Sequence, residues 1–538
     1  MLLLQPRWML GGAMWAEMAT NYYANSIHPD LLRQVFATDA GYIPLPQRIL
    51  AFTFSALPAS SVPYAYTWAA TLATGLLVGS FSHPVFRRVM ESDVTRVFVC
   101  LAVLMVADFE SRTFINFTYF VAFFATVLSA QAISTRGVGI PPWAWILPVL
   151  MISKPHTLVA LPILLVGALA ANGRLRKIVI CTLVFVFLQA IELLISNERG
   201  VMALQAKTGT LDRAQAIAGY FFGLLGQYAA GPSAAKLIPQ AASVWIFIGI
   251  AFFGITVYFS WVSKRPSSWL ILAGLSLIFF DVLLNCVALS VWWNSNLSLL
   301  SGINIHRYTL SAFYGVVLAT AGLCDLVACA LVSKGYSRLS SSGAIIFTCW
   351  FLLAGWHSYG MRISRAPGSP VTGNSQWQAF SPGLDQGTSD SICIPIDPFG
   401  WVYGSNCRNL TNELGWTTPH RFHLIGNSES DSASIQLDVP RIDIAGSQIA
   451  GLLSLARTTG PKMEQISARA IITLKGGRKI TYRGANEILP TGTAILLFGP
   501  PANADDIESV ELQFDRPVSI AMHGPQNSEI PMTVWLGH

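Results

Sequence analysis

Long apolar runs fill the first two-thirds of the chain and then give way to short alternating ones. A helix of about 20 apolar residues crosses a bilayer. The pattern predicts spans over 63–83, 95–109, 116–133, 142–153, 157–172, 178–195, 244–262, 268–290, 309–333 and 342–360. The connecting segments sort by charge. His83–Arg96, Thr135–Gly137, Asn172–Lys177, Ser263–Pro266 and Ser333–Arg338 are basic, which assigns them to the cytoplasm under the positive-inside rule. Residues 15–62, 108–115, Ser153–His156, 196–243, 290–307 and everything after 361 then share the opposite side. Within the two largest of these loops, 15–62 and 196–243, Pro46–Leu57 and Asp212–Gly226 have the character of helices lying at the interface.

From about residue 365 the period changes. Ile435–Val439, Ala468–Leu474, Ile480–Tyr482, Ala494–Phe498, Ser509–Phe514, Ser519–Met522 and Met532–Leu536 are short and rich in β-branched residues, with Gly, Pro and Asn between them. That is the pattern of an antiparallel β-sandwich. The expected fold is a polytopic α-helical membrane protein of ten or eleven transmembrane helices with a C-terminal extracytoplasmic all-β sandwich. The membrane domain is placed at 1–362 and the β-domain at 363–538. The N-terminus fits less well, because the 14 residues before Trp15 include Pro6, Arg7, Gly11 and Gly12. They are short for a span and lack a cleavage site, so the expectation is a chain start that omits upstream residues.

Composition agrees with the membrane assignment: 53% of the 538 residues are hydrophobic and 12% charged, against about 25% charged in soluble domains. The net charge of +6 resides largely in the short basic loops, so it calls for no nucleic-acid partner. Six of the eight cysteines (Cys100, Cys181, Cys286, Cys324, Cys329, Cys349) lie in apolar runs and read as small core hydrophobes. Cys393 and Cys407 lie in a polar loop, where a disulfide would imply an oxidising compartment. Closing a loop of about 15 residues contributes roughly 3 kcal/mol.

The chemically informative residues are ionisable groups at span ends on the non-cytoplasmic side: Glu17, Asp39, Asp108, Glu110, Lys154, His156, His306 and Arg307. A single boundary charge is readily explained as a solvated or snorkelling side chain. Convergence of several turns on one face is harder to explain that way. Glu17, flanked by Trp15 and the pair Tyr22-Tyr23, is the candidate general base toward an acceptor hydroxyl, with its aromatic neighbours suited to an interface or to a sugar face. Asp108 and Glu110 bracket Phe109 and could face the same cavity, binding the acceptor or, through oxygen ligands, a divalent cation. Lys154 and Arg307 suit a phosphate leaving group, one as a point charge and the other as a bidentate fork. His156 reads either as part of that site or as a hydrogen-bonded packing residue. Trp377, Trp401 and Trp416 read as core residues before sugar platforms.

Trp15-Ala16-Glu17, an aromatic pair, then Gly41-Tyr42-Ile43-Pro44 and Arg48 together resemble the first outer loop of bacterial membrane glycosyltransferases of the GT-C superfamily. Met18 stands where relatives carry the second acid of a Glu-Asp pair, which weakens a metal-binding role for the loop. His306-Arg307-Tyr308 is similar to an Arg-Tyr segment that contacts lipid phosphate in such enzymes. The resemblance covers residues 1–360. It implies a polyprenyl-phosphate-linked sugar donor, a glycan or lipid-linked glycan acceptor, and inversion in one displacement. It also implies roles for Tyr42, Arg48, Arg307 and Tyr308 toward the lipid-phosphate substrate, and a place in the bacterial inner membrane with the C-terminal domain in the periplasm. No P-loop or dinucleotide fingerprint is present, and no cofactor is required beyond a possible divalent cation. The alternatives are a polymerase or ligase of lipid-linked oligosaccharides and a transporter or flippase with an outer β-domain. A transporter would show ionisable groups near mid-span or broken helices in paired halves. The only span-interior charges are Glu192, Asp281 and Asp325, each expected nearer an end than the middle.

Overall fold

The computed structural model describes residues 5–136, 140–171, 173–195, 209–238, 241–263, 265–289, 292–303, 305–333, 342–365, 377–385, 394–397, 401–403, 432–437, 448–457, 468–489, 492–520 and 533–537. Cys393, Cys407 and Trp416 lie outside these, and so does the expected disulfide.

Five helical stretches among the described residues are long and apolar enough to cross a bilayer: Val62–Arg88, Phe117–Thr135, Ala242–Ser263, Ser267–Ala288 and Leu310–Leu331. Ser342–Leu353 and Trp356–Ile363 make a sixth if the 56° bend between them lies within one span. Gly355 supplies that bend with φ +84°, a left-handed conformation natural to glycine. The chain is therefore a multi-pass helical membrane protein. The remaining expected spans are helical but do not all reach a span's length. Asp93–Val106 is 14 residues long, about 21 Å at 1.5 Å per residue. Pro142–Met151 and Pro155–Ala170 are short because prolines interrupt their apolar runs. Arg174–Ile195 is a 22-residue helix over the expected span at 178–195. Among the described residues, five or six stretches meet the length and apolarity test for a span, against the ten or eleven expected.

Phe117–Thr135 forms the centre of the bundle, buried on nearly all sides, including Thr126, Ser129 and Gln131. Around it the helices approach closely through small residues. A Cβ added to Gly274 would lie 2.4 Å from the Gly315 carbonyl oxygen, so Ser267–Ala288 and Leu310–Ser333 nearly touch backbone to backbone. This is the small-residue packing of membrane helices. The Asp212–Gly226 segment belongs to a longer helix, Thr210–Leu237, which kinks at Gly231-Pro232. It packs antiparallel along Ala242–Ser263, with Gly226 against Trp245 and Gly249 against Phe222. The expected short interfacial helix is thus half of a 28-residue element. Leu45–Phe54 forms close to where an interfacial helix was expected, burying Gln47, Arg48 and Ala51 and exposing Ile49 and Phe52.

The C-terminal strands are β1 (Ile394–Ile396), β2 (Trp401–Tyr403), β3 (Ser432–Leu437), β4 (Gln448–Arg457), β5 (Ala468–Leu474), β6 (Lys479–Leu489), β7 (Gly492–Asn503), β8 (Ile507–Ile520) and β9 (Thr533–Gly537). The first two pair only with each other. The other seven are ordered β3-β8-β5-β6-β7-β4-β9, all antiparallel. Ala470, Ile472, Leu474, Tyr482, Val510 and Leu512 are buried between the strands' polar positions, the period-2 alternation of a sheet with a core face. β8 is 14 residues long, so its first part pairs with β5 and β3 while Ser519 and Ile520 reach β4. β3–β9 form one hydrogen-bonded sheet that curls so that β8 also meets β4. Trp377–Asp385 and Ile394–Ile396 differ from this sheet: Trp377 and Ile396 are buried in the core of the helical bundle.

Candidate functional site

Glu17 sits in a strained turn. Ala16 has φ +42°, a conformation non-glycine residues seldom adopt, and Met18–Tyr23 continues as a π-helical turn. The Glu17 carboxylate is half-buried and makes neither an ion pair nor a hydrogen bond to another residue among the described residues. Burial, followed by the nearby Asp39 charge, holds its pKa above the ordinary carboxylate value, while Lys154 and Arg307 pull it back down.

Asp39 is fixed by a two-residue turn. Its backbone exchanges hydrogen bonds with Tyr42 at 2.8 and 3.2 Å across Ala40 and Gly41, both at positive φ, a mirror-image hairpin turn. The Tyr22 and Tyr42 hydroxyls each donate to the Asp39 carboxylate at 3.1 Å. Tyr42 thereby becomes a wall of the site, and the Lys154 ammonium lies 5.7 Å from its ring and 5.9 Å from that of Tyr119, within cation–π range. The Lys154 ammonium makes no hydrogen bond or ion pair among the described residues. Burial lowers its pKa, and Asp39 and Glu17 act in the opposite sense.

Arg307 precedes the Leu310–Ser333 helix and pairs with Glu110 from the turn after Asp93–Val106. Its guanidinium also lies over the Tyr308 ring at 4.9 Å. Burial opposes the Arg307 charge, but Glu110 and the two tyrosines outweigh it and hold its pKa high. His306 is pushed down to about 4 by burial and by Arg307, so it stays neutral near pH 7. Four separate segments thus bring Glu17, Asp39, Lys154, Glu110 and Arg307 to one end of the bundle, close enough to influence one another's charge.

Several expected roles change. Arg48, read as a phosphate contact, is fully buried. It donates to the carbonyls of Ala37 (2.9 Å), Asn21 (3.0 Å) and Thr38 (3.2 Å), to the Asn21 side chain, and lies over the Tyr22 ring. Its donors are committed to folding the loop, so they cannot also grip a ligand. Tyr22 and Tyr23 are buried against Phe114, Trp377 and Tyr403 and present no face to a sugar. Asp108 accepts the Ser111 amide at 3.0 Å and caps the next turn, with burial raising its pKa. Its Oδ1 is committed to that turn. Glu110 is engaged by Arg307. With Glu110 so paired and Asp39 bound by tyrosines, and with no group of three candidate ligands among the described residues, these carboxylates do not fit a divalent cation.

His156 lies beneath the site. Its Nε2 is 2.8 Å from Ser311 Oγ and 3.3 Å from Asp281 Oδ1, and its ring packs on Tyr119. Asp281 Oδ2 accepts the Ala312 amide at 3.0 Å, and Asn285 links Asp281 to the Tyr308 carbonyl. The helix runs Ser267–Ala288, so Asp281 is nearer its middle than its end, as Asp325 is in Leu310–Ser333. Pairing across distant helices is what sequence spacing could not reveal for Asp281. Its only sequence signal is a carboxylate inside an apolar run, which marks a functional or paired group. No family model matches this chain, and no curated protein matches it.

Proposed function

We propose that the protein transfers a sugar from a polyprenyl-phosphate donor to a periplasm-facing glycan or glycolipid of a bacterial inner membrane, inverting the anomeric centre. The observation that carries this reading is the juxtaposition of a half-buried carboxylate, Glu17, with the Lys154 ammonium, both unpaired among the described residues, and the Arg307 guanidinium at one end of a membrane bundle. Glu17 takes the proton of the acceptor hydroxyl as its oxygen attacks the anomeric carbon. The bond from that carbon to the phosphate oxygen breaks, and the polyprenyl phosphate leaves with the electron pair. Lys154 and Arg307 stabilise the charge that gathers on the phosphate, while Tyr42, Tyr119 and Tyr308 hold the two cations in place. Glu110 keeps Arg307 oriented until phosphate competes for it. The upward-shifted pKa of Glu17 suits a base, because basicity and the deprotonated fraction trade off near working pH.

The test is Glu17→Gln, which keeps shape and removes the base. Purified protein in vesicles, given a polyprenyl-phosphate sugar and envelope glycan, should lose turnover by about 10²–10⁴-fold with donor binding retained. Normal turnover in the variant would refute the assignment. A transporter is the second reading, favoured by the buried Asp281–His156 pair inside the bundle. It predicts lipid-linked glycan movement across the vesicle without a new glycosidic bond.

A further inference from the structure

Glu17 has no hydrogen bond to another residue among the described residues to aim its carboxylate, so its backbone must do so. That backbone includes left-handed Ala16 at φ +42°. A conformation of this kind persists only where the surroundings over-determine it. Here the surroundings come from the chain far beyond the bundle. Trp15 and Asp397 form a parallel bridge in which the Ala16 amide donates to the Asp397 carbonyl and the Asp397 amide donates to the Met14 carbonyl at 3.0 Å.

The same distal segment is anchored at two more places. Trp377 is fully buried, donates from its indole to the Ala59 carbonyl at 2.8 Å, and packs edge-on to Tyr23 at 5.3 Å. Asp385 accepts the Ala59 amide at 2.9 Å. Gln378 donates to the carbonyls of Gly12 (3.0 Å) and Ser60 (2.9 Å), one on each end of the first loop. Tyr403 closes the cluster against both Tyr23 and Trp377. The helix Trp377–Asp385 and the β1–β2 hairpin thus grip the loop at its start, at its end, and at the residue preceding Glu17.

We propose that Trp377–Asp385, Ile394–Asp397 and Trp401–Tyr403 act together as a positioning strap for Glu17, so that the site is completed by polypeptide following the membrane bundle. This rests on reading Glu17 as the base and goes beyond it by assigning the C-terminal segment a part in the reaction. The strap makes the loop's strained conformation a property of the whole chain. It also gives whatever engages the C-terminal region a direct connection to the base.

Carboxyl footprinting tests this without knowledge of the sugar. Full-length protein in detergent is treated with a water-soluble carbodiimide and glycine ethyl ester, and labelling of Glu17 is followed by mass spectrometry. Asp93, which pairs with Arg87 and Arg96 at the start of the helix ending at Val106, is the internal control. Releasing the strap opens the loop locally, so Trp377→Ala should raise Glu17 labelling about threefold or more with Asp93 unchanged. Asp385→Ala, at an exposed position and therefore safe for folding, should raise it to a smaller extent, and Trp377→Phe, which keeps the ring contacts but loses the indole donor to Ala59, should fall between the parent and Trp377→Ala. In the vesicle transfer assay the first two variants should lower kcat more than KM is changed. Equal Glu17 labelling in parent, Trp377→Ala and Asp385→Ala overturns the strap, whatever the protein transfers. Raised labelling with unchanged kcat overturns the positioning role. A parent protein that forms no glycosidic bond defeats the functional reading, and the footprint still decides whether the strap exists.

Discussion

Replacing Arg48 by leucine removes the donors that fold the first loop while leaving a side chain of related bulk. Its guanidinium donates to three backbone carbonyls, those of Asn21, Ala37 and Thr38, and to the Asn21 amide oxygen. A buried acceptor left without its partner costs about 1–3 kcal/mol. Some relief comes from local rearrangement, and the losses are not additive. The net destabilisation expected for Arg48→Leu is about 3–5 kcal/mol, the range found when a buried charged partner is removed. At about 2–4 °C per kcal/mol for domains of 150–250 residues, the bundle's unfolding midpoint should fall by roughly 6–20 °C. The assay is thermal unfolding of purified protein in detergent, with binding of a polyprenyl-phosphate analogue measured well below the transition. Arg48→Lys should recover only part of the loss, because one ammonium cannot span three carbonyls. An unchanged midpoint with binding lost would refute the loop-folding role and restore Arg48 as a ligand contact.

Other predictions follow from the same geometry. Activity that needs ionised Glu17 should be lost as pH falls, with its acid limb above the ordinary carboxylate value of 4.5 because burial and Asp39 raise the pKa. Asp39→Asn removes a raising charge and should move that limb down, whereas Lys154→Met removes a lowering charge and should move it up; pH profiles of kcat/KM that shift in the same direction would exclude this electrostatic scheme. Gly249→Leu places a side chain where a Cβ already falls 1.8 Å from the Phe222 carbonyl oxygen, so it should separate the two helices or cost about 1–3 kcal/mol or more, seen as a lower midpoint. Asp281→Leu leaves His156, Asn285 and the Ala312 amide without their shared acceptor and should destabilise by about 3–5 kcal/mol, with Asp281→Asn milder; a midpoint matching the parent for Asp281→Leu would show the network to be dispensable.

Long apolar runs were the readable part of the sequence. The runs at 244–262 and 268–290 correspond to Ala242–Ser263 and Ser267–Ala288, because nothing within them competes with helix formation. Proline-rich runs were over-read as spans, since hydropathy averages across the breaks that Pro148, Pro155 and Pro162 impose. β4 escaped notice because Gln448–Arg457 has neither the strict alternation nor the β-branched residues of its neighbours. At the site, charge at span ends indicated which turns matter. Side-chain direction was invisible: Arg48 and Arg307 look alike in sequence, and only packing turns one into the loop and the other toward Glu110. The contact of Trp377 with Ala59 joins positions more than 300 apart and leaves no local pattern.

The helix Ala242–Ser263 buries only Trp245, Gly249, Thr256 and Ser260, along one side. Its remaining surface is lipid-facing, with Phe247 and Trp261 strongly exposed. Twenty-two residues rise about 33 Å, close to the ~30 Å thickness of the hydrocarbon layer. The helix is therefore a gauge of depth for the elements packed along it. Because Gly226 meets Trp245 and Gly249, the stretch of its neighbour beyond Gly226 lies level with the start of this helix. The Gly231-Pro232 break there is buried against Ala354, the Trp350 indole donates to the Ala229 carbonyl at 2.8 Å and the Ser233 amide donates to the Ala354 carbonyl at 2.9 Å, so the protein itself supplies the partners that a kink at that depth requires.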